Sequence, residues 1–202
     1  MIDKDQFSKI KFSKSVFDIK QLPIDIGHEV AFSGRSNSGK SSMLNTLNKN
    51  SKIAKTSKTP GRTQSINVFD LSQYQDKRIM DLPGYGFAKV SKKTQKEWGA
   101  LMAQYFNTRR SLRGIISIMD IRNPFKTSDL QMIEWANHED VPIKIVLNKS
   151  DKLSNNKKAN AINSAKKFLF ESNLNGEIQT FSSKDFDGLD SLQLTILAWL
   201  EI

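Results

Sequence analysis

Gly34-Arg35-Ser36-Asn37-Ser38-Gly39-Lys40-Ser41 follows the pattern G-x-x-x-x-G-K-[ST]. In that pattern backbone N–H groups at a helix amino end cradle phosphates. Lys40 is the cation for the β- and γ-phosphates, and Ser41 offers its hydroxyl to Mg²⁺. Gly34 and Gly39 permit backbone conformations and a close approach that a Cβ would obstruct. Further along, Asp81-Leu82-Pro83-Gly84 supplies a carboxylate that holds Mg²⁺ through water and a Gly84 N–H that faces a γ-phosphate. Asn148-Lys149-Ser150-Asp151 suits a base. Asp151 can accept from the N1–H and exocyclic amine of guanine, whereas adenine has a bare N1 and strands the carboxylate. Asn148 is placed to brace neighbouring loops, and the Lys149 stem to pack over the base. Together the motifs specify a guanine nucleotide, which none does alone.

Between the first two motifs lies a Ser/Thr/Lys-rich stretch from Ser51 to Ser65, punctuated by Pro60-Gly61, that reads as a mobile segment. A threonine there, Thr63, can close on Mg²⁺ and the γ-phosphate and release after hydrolysis, an order–disorder switch. A second switch is expected from Tyr85 to about Lys96, with Gly84 and Gly86 as flexible points. Lys40, Thr63 and Gly84 are therefore the candidate catalytic residues.

These motifs need strands and helices to hold them. Glu29–Ser33 reads as a short buried strand, and a helix through Ser42–Leu47 follows the phosphate loop. Ile66–Leu71 and Lys77–Met80 read as strands; Gly114–Met119 and Pro142–Leu147 are apolar runs suited to buried parallel strands. Ser91–Phe106 is helical, with Trp98, Leu101, Met102, Tyr105 and Phe106 at core-packing spacing. Asp129–Asn137, Lys157–Phe170 and Leu189–Leu200 are further helices, and Glu177–Phe181 is a last strand. This alternation predicts a three-layer α/β fold, a mostly parallel sheet with helices on both faces. Every motif falls just after a strand, the end where open α/β sheets bind ligands. Phe181-Ser182-Ser183 follows the last strand, and its N–H groups can reach the guanine oxygen; read alone it is a helix-capping turn.

A chain of 202 residues, 38% of them hydrophobic, fits one domain with a full core. We place a single nucleotide-binding domain at 29–202 behind an extension at 1–28. Met1 to about Ile10 carries no motif and is expected to lack fixed order. No apolar run approaches the ~18 residues of a membrane span, and the amino terminus does not read as a signal peptide. The absence of cysteine excludes disulfides and thiolate metal sites, and a cytoplasmic monomer is the expectation. The net charge of +10 favours a polyanionic partner. Lys49, Lys52, Lys55, Lys58 and Arg62 fall in 46–69, and Lys89, Lys92, Lys93 and Lys96 in 85–96, with no acid in either stretch. Both are the expected switches, so nucleotide state can alter how a basic surface meets RNA phosphates.

In wording the chain resembles the EngB/YsxC/YihA family of bacterial ribosome-assembly GTPases. The match is carried by GRSNSGKSS from Gly34, KTPGRTQSINVF from Lys58, DLPGYGFAKV from Asp81, DIRNPFKTSD from Asp120, NKSD from Asn148 and FSS from Phe181. It runs from about residue 12 to the carboxyl end. The resemblance implies a nucleotide site at Gly34–Ser41, at Gly61, Arg62, Thr63, Gln64 and Ser65, at Asp81–Gly84, at Asn148–Asp151 and at Phe181, Ser182 and Ser183. It implies Mg²⁺ on Ser41 and Thr63, a role in assembling the large ribosomal subunit or its precursor, and cell-division and septation defects on loss. Two positions depart from the family: Ser38 stands where Val is usual, and Asn148 where many members have Thr.

Ras-like enzymes place a water-orienting Gln directly after Asp-x-x-Gly. Here Tyr85 takes that position, which predicts slow intrinsic hydrolysis completed by a partner or a monovalent cation. Asn37 occupies the loop position that holds K⁺ in some related GTPases, an analogy set against a plain loop asparagine. Two other readings stay open: a P-loop ATPase, against which Asp151 argues, and a nucleotide-gated binding module whose hydrolysis is incidental, which Tyr85 keeps alive.

Overall fold

The structure, a computed structural model, describes residues 6–49, 53–54, 65–86 and 92–202, with the backbone alone at 6 and 92–95. Gly61, Arg62, Thr63 and Gln64 lie outside the described residues, as do Lys52, Lys55, Lys58 and Lys89.

The elements in chain order are β1 (Ile10–Val16), β2 (His28–Gly34), α1 (Lys40–Leu47), β3 (Ile66–Leu71), β4 (Lys77–Asp81) and α2 (Lys92–Thr108). They continue as β5 (Leu112–Asp120), α3 (Thr127–His138), β6 (Ile143–Asn148), α4 (Asn155–Glu171), β7 (Glu177–Phe181) and α5 (Leu189–Leu200). The strands form one sheet in the order β1-β3-β4-β2-β5-β6-β7. Only β3 runs against its neighbours; β4, β2, β5, β6 and β7 are parallel.

Period-two alternation along the strands builds two cores. Val30, Phe32, Ile116, Ile118 and Val146 face α1 and α5 through Met43, Leu44, Leu47, Leu192, Ile196 and Leu200. Ala31, Met80, Ile115 and Leu147 face α2, α3 and α4 through Met102, Tyr105, Met132, Ile133, Ala165 and Leu169. This is the three-layer architecture expected from the sequence.

Most boundaries move by one or two residues. Helix α3 begins two residues before the expected Asp129, because Asp129 is the third residue of its first turn. Its carboxylate reaches back to accept from the Lys126 N–H at 3.0 Å, which satisfies a donor the helix leaves unpaired.

The larger difference is at the amino end, where the sequence analysis placed no element. Ile10–Val16 is an edge strand, antiparallel to β3 from Ile10 opposite Leu71 to Val16 opposite Ile66. Phe7 is fully buried in the α1/α5 core. From Phe7 onward the expectation of a segment without fixed order therefore does not hold. Residues 22–27 are fastened to the foot of the sheet. Arg109 donates to the Pro23 carbonyl at 2.8 Å, Arg78 to the Ile26 carbonyl at 3.0 Å, and the Arg110 and Ser111 N–H groups donate to Asp25 at 2.9 Å.

Candidate functional site

The phosphate loop leaves β2 at Gly34 and enters α1 at Lys40. Gly39 has φ +100°, and a Cβ there would meet the Asn148 amide nitrogen at 2.1 Å; both facts demand glycine. Gly34 is required by space alone: a Cβ would lie 2.7 Å from the Ile118 carbonyl and from Ser38 Oγ. Asn37 is exposed at φ 64°, Ser38 is buried, and Arg35, Ser36 and Ser41 are half-buried.

Asp81 ends β4, buried beside this loop, and its carboxylate pairs with the Lys40 ammonium. Beyond it the backbone turns back along the loop. The Ser36 N–H donates to the Tyr85 carbonyl at 2.9 Å and the Tyr85 N–H to Gly34 at 3.4 Å. Gly84 is thereby held against Ser36. Leu82 is core, and the Pro83 carbonyl accepts from the Trp98 indole at 3.1 Å. Ser65, buried, is the one residue of the Gly61–Ser65 group among the described residues.

The base-reading side rests on β6 and β7. Asn148 donates to the Ser38 carbonyl at 2.7 Å and accepts from the Lys149 N–H at 2.7 Å. Lys149, at φ 65°, sends its ammonium to the Asn37 carbonyl at 2.7 Å and to Asp120 at 3.0 Å. Ser150 donates to Asp187 at 2.8 Å. Asp151 accepts from Ser182 Oγ at 3.2 Å and pairs with Lys152 at 3.1 Å. Burial pushes the Asp151 carboxyl up, but the Lys152 and Ser182 contacts outweigh it and hold its pKa below the ordinary value. The group is thus an ionised acceptor at neutral pH. Ser182 Oγ also accepts from the Lys184 and Asp185 N–H groups, at 3.1 and 3.2 Å, so Ser182 caps the turn as well as touching Asp151. The Phe181 side chain is core, leaving only its backbone for a ligand, and Ser183 Oγ is buried without a partner among the described residues.

The comparisons with known proteins point to one family. The model of the family described as "50S ribosome-binding GTPase" matches residues 29–149. "Probable GTP-binding protein EngB" of Colwellia psychrerythraea is 44% identical over 98% of this chain and 88% of its own. That of Aeromonas salmonicida is 43% identical over 96% of this chain and 88% of its own. The chain belongs to the EngB family of GTP-binding proteins. Among solved structures, a probable GTP-binding protein EngB superposes with TM-score 0.66 at 22% identity, covering 86% of this chain and 98% of that one. Era, solved with MgGDPNP and a segment of 16S ribosomal RNA, superposes with TM-score 0.64 at 24% identity, covering 85% of this chain and 56% of Era. At those identities the superpositions speak for the fold.

As a member of the EngB family the chain is a P-loop GTPase, binding GTP and GDP and turning over GTP to GDP and phosphate. The donors beside the phosphate loop suit a hard cation such as Mg²⁺. Asp81 and Ser41 offer oxygen, and no described cluster of His, Cys, Asp and Glu competes for a softer metal.

In this EngB domain Tyr85 turns away from the phosphate loop. Its ring packs on Trp98 at 5.6 Å, is 4% exposed, and its hydroxyl donates to Asp129 on α3 at 3.1 Å. Burial, and then the Asp129 charge, raise the tyrosine pKa well beyond its ordinary value. It is a neutral hydrogen-bond donor in the core. Tyr85→Phe is therefore expected to leave the GTP hydrolysis rate within about twofold while costing about 1–2 kcal/mol of stability, the loss of one donor to a buried carboxylate. Single-turnover hydrolysis and urea unfolding check both; a large rate loss at unchanged stability would contradict this placement.

Sequence reasoning assigned no role to Asp120, Arg122 or Asn67. Asp120 ends β5 in register with Asn148 and accepts from Arg122 at 2.9 and 2.6 Å. The Arg122 contact first, then Lys149, hold its carboxyl far below the usual carboxylate range. Asp120 thus clamps Lys149 in place. Its signal was available: it is a carboxylate at a strand's carboxyl end. Asn67 carried no such signal, because only sheet register brings it to Asp81.

Proposed function

We propose that the chain is a GTP-driven switch acting on the large ribosomal subunit or its precursor, supporting subunit assembly and through it normal cell division and septation. The observation that carries this is the family match, whose description names ribosome binding by its members, together with a net charge of +10. Lys40 and the N–H groups of Arg35–Ser41 take the phosphates. Ser41 and Thr63 would hold Mg²⁺, with Asp81 reaching it through water, and that ion would neutralise charge developing on the phosphates. Gly84 faces the γ-phosphate, and Gly61, Arg62, Gln64 and Ser65 complete that side. Asp151 reads guanine, flanked by Asn148, Lys149, Ser150 and the turn at Phe181–Ser183. The basic residues of both switches meet ribosomal RNA, with Lys49 and Lys96 exposed at their ends. No described helix is long and apolar enough to cross a membrane; a monomer in the cytoplasm is part of this reading.

Tyr85 supports slow intrinsic turnover, because its buried ring leaves no side chain at that position to orient water. Asn37 is the residue through which K⁺ would assist. Hydrolysis is then expected to be faster in K⁺ than in Na⁺; equal rates remove the cation. The same tyrosine favours a second reading, in which nucleotide state gates ribosome binding and hydrolysis is incidental. Co-sedimentation with large subunits tests the main reading, comparing GDP with a non-hydrolysable GTP analogue at low and moderate salt. Binding selective for the analogue and weakened by salt is expected. Equal binding in both states, or none, overturns the switch.

A further inference from the structure

Both carboxylate oxygens of Asp81 are engaged by side chains. One pairs with Lys40, and the other, Oδ2, accepts from the Asn67 amide nitrogen at 3.1 Å. Asn67 stands on β3 directly opposite Asp81 in the antiparallel register. Its orientation is set by chemistry: an ionised carboxylate only accepts, so the amide nitrogen must face it. The Asn67 carbonyl is then left for hydroxyls. Ser15 Oγ donates to it at 2.6 Å and Ser65 Oγ at 3.4 Å. Ser15 is in turn the β1 residue opposite Asn67. Three adjacent strands thus each contribute one side chain to a row: Ser15, Asn67, Asp81.

We propose that Asn67 is a positioning residue for magnesium-dependent nucleotide binding, fixing the carboxylate plane of Asp81, with Ser15 fixing Asn67 in turn. The inference rests on the reading of Asp81 as the group that holds the metal through water. A carboxylate rotates about a broad terminal torsion. Lys40 cannot be its permanent clamp, because the same ammonium serves the phosphates. Asn67 can, and being neutral it orients the carboxylate without cancelling the charge that attracts a cation. Ser65, where the chain emerges from the Thr63 segment, touches the same amide. Partners of direct metal ligands are worth about 10–100-fold in metal affinity, and Asn67, behind a carboxylate that reaches the metal through water, is expected at the lower limit of that range.

The test is GDP affinity of the full chain, by fluorescence titration in Mg²⁺ and in EDTA. For the unaltered protein Mg²⁺ is expected to tighten GDP binding. Asn67→Ala is expected to bind GDP in EDTA within about twofold of the parent, while the tightening by Mg²⁺ falls about tenfold. Ser15→Ala, which removes only the outer hydrogen bond near solvent, should move the same quantity by about twofold to threefold. A merely structural role would lower affinity equally in EDTA and Mg²⁺, and that result overturns the proposal, as does full retention of the Mg²⁺ effect. If Asn67→Ala does not fold, undiminished Mg²⁺ tightening in Ser15→Ala overturns the relay. A parent protein indifferent to Mg²⁺ would instead overturn the metal reading of Asp81.

Discussion

Asp151→Asn is expected to weaken GDP binding about 100-fold and to improve binding of xanthosine diphosphate. The Asp151 side chain is 11% exposed, held from one side by Ser182 Oγ and from the other by Lys152. Its lowered pKa keeps it charged, so it presents acceptors alone to the base. Guanine offers two donors on that edge. Asparagine replaces one acceptor by a donor, so one contact is lost and an N–H meets an N–H. Losing a charge-assisted hydrogen bond costs about 1.5–3 kcal/mol, and with the mismatch about 3 kcal/mol, or about 100-fold. Xanthine carries an oxygen where guanine carries its amine, and that oxygen matches the new donor. Equilibrium titration of both diphosphates against both proteins measures the exchange. Unchanged GDP affinity in Asp151→Asn would remove Asp151 from the base-reading role.

The largest effect on stability is expected far from the nucleotide. Glu29 is fully buried in β2 and accepts from Arg109 at 2.9 and 2.5 Å. Arg78 approaches the same carboxylate at 3.6 Å, and the buried Tyr105 hydroxyl adds its dipole nearby; burial and then Glu29 raise the tyrosine pKa. Arg109→Ala leaves this carboxylate in the core with only the more distant guanidinium. Breaking a buried pair from one side costs about 3–5 kcal/mol, and Arg78 places the expected loss near the lower limit. The same change frees the Pro23 carbonyl, loosening the return of residues 22–27 across the foot of the sheet. Urea unfolding should show a lower midpoint at unchanged slope. The double change Glu29→Met with Arg109→Met is expected to be less destabilising than Arg109→Ala alone, since it leaves no unpaired charge. A loss below about 1 kcal/mol for Arg109→Ala would mean that Arg78 takes over the pairing.

What the sequence made legible was the half of the molecule where local pattern and tertiary role coincide. The run Ile145-Val146-Leu147 is buried on both faces and reads as a central strand. Asn148 follows it at the ligand end by the geometry of any parallel sheet. Strand β1 was illegible for the opposite reason. At the sheet edge only Ile10 and Val16 are buried, with Lys11, Phe12, Ser13, Lys14 and Ser15 exposed between them. A bulge between Phe12 and Lys14 also breaks the alternation. Tyr85 was half legible: its type ruled out a water-orienting glutamine, but its partner Asp129 lies 44 residues away and is found only by folding. The same holds for Asn67, whose neighbours are set by strand register, and for the clamp of Arg109 on Glu29, 80 residues apart.

The ties between the phosphate loop and the base-reading loop carry a consequence for what the switch can sense. Asn148 on Ser38 and Lys149 on Asn37 join the two loops into one cradle, with Gly39 pressed against the Asn148 amide. Joined in this way, the two loops would grip base and inner phosphates alike, whether two phosphates or three are attached. A ligand shifts an equilibrium only through unequal affinity for its two states. On the proposed reading this half of the molecule anchors any guanine nucleotide, and Lys40 is its one contact that reaches a third phosphate. Counting phosphates would then fall chiefly to the opposite rim, where Gly84 borders the loop at Ser36 and Ser65 touches Asn67.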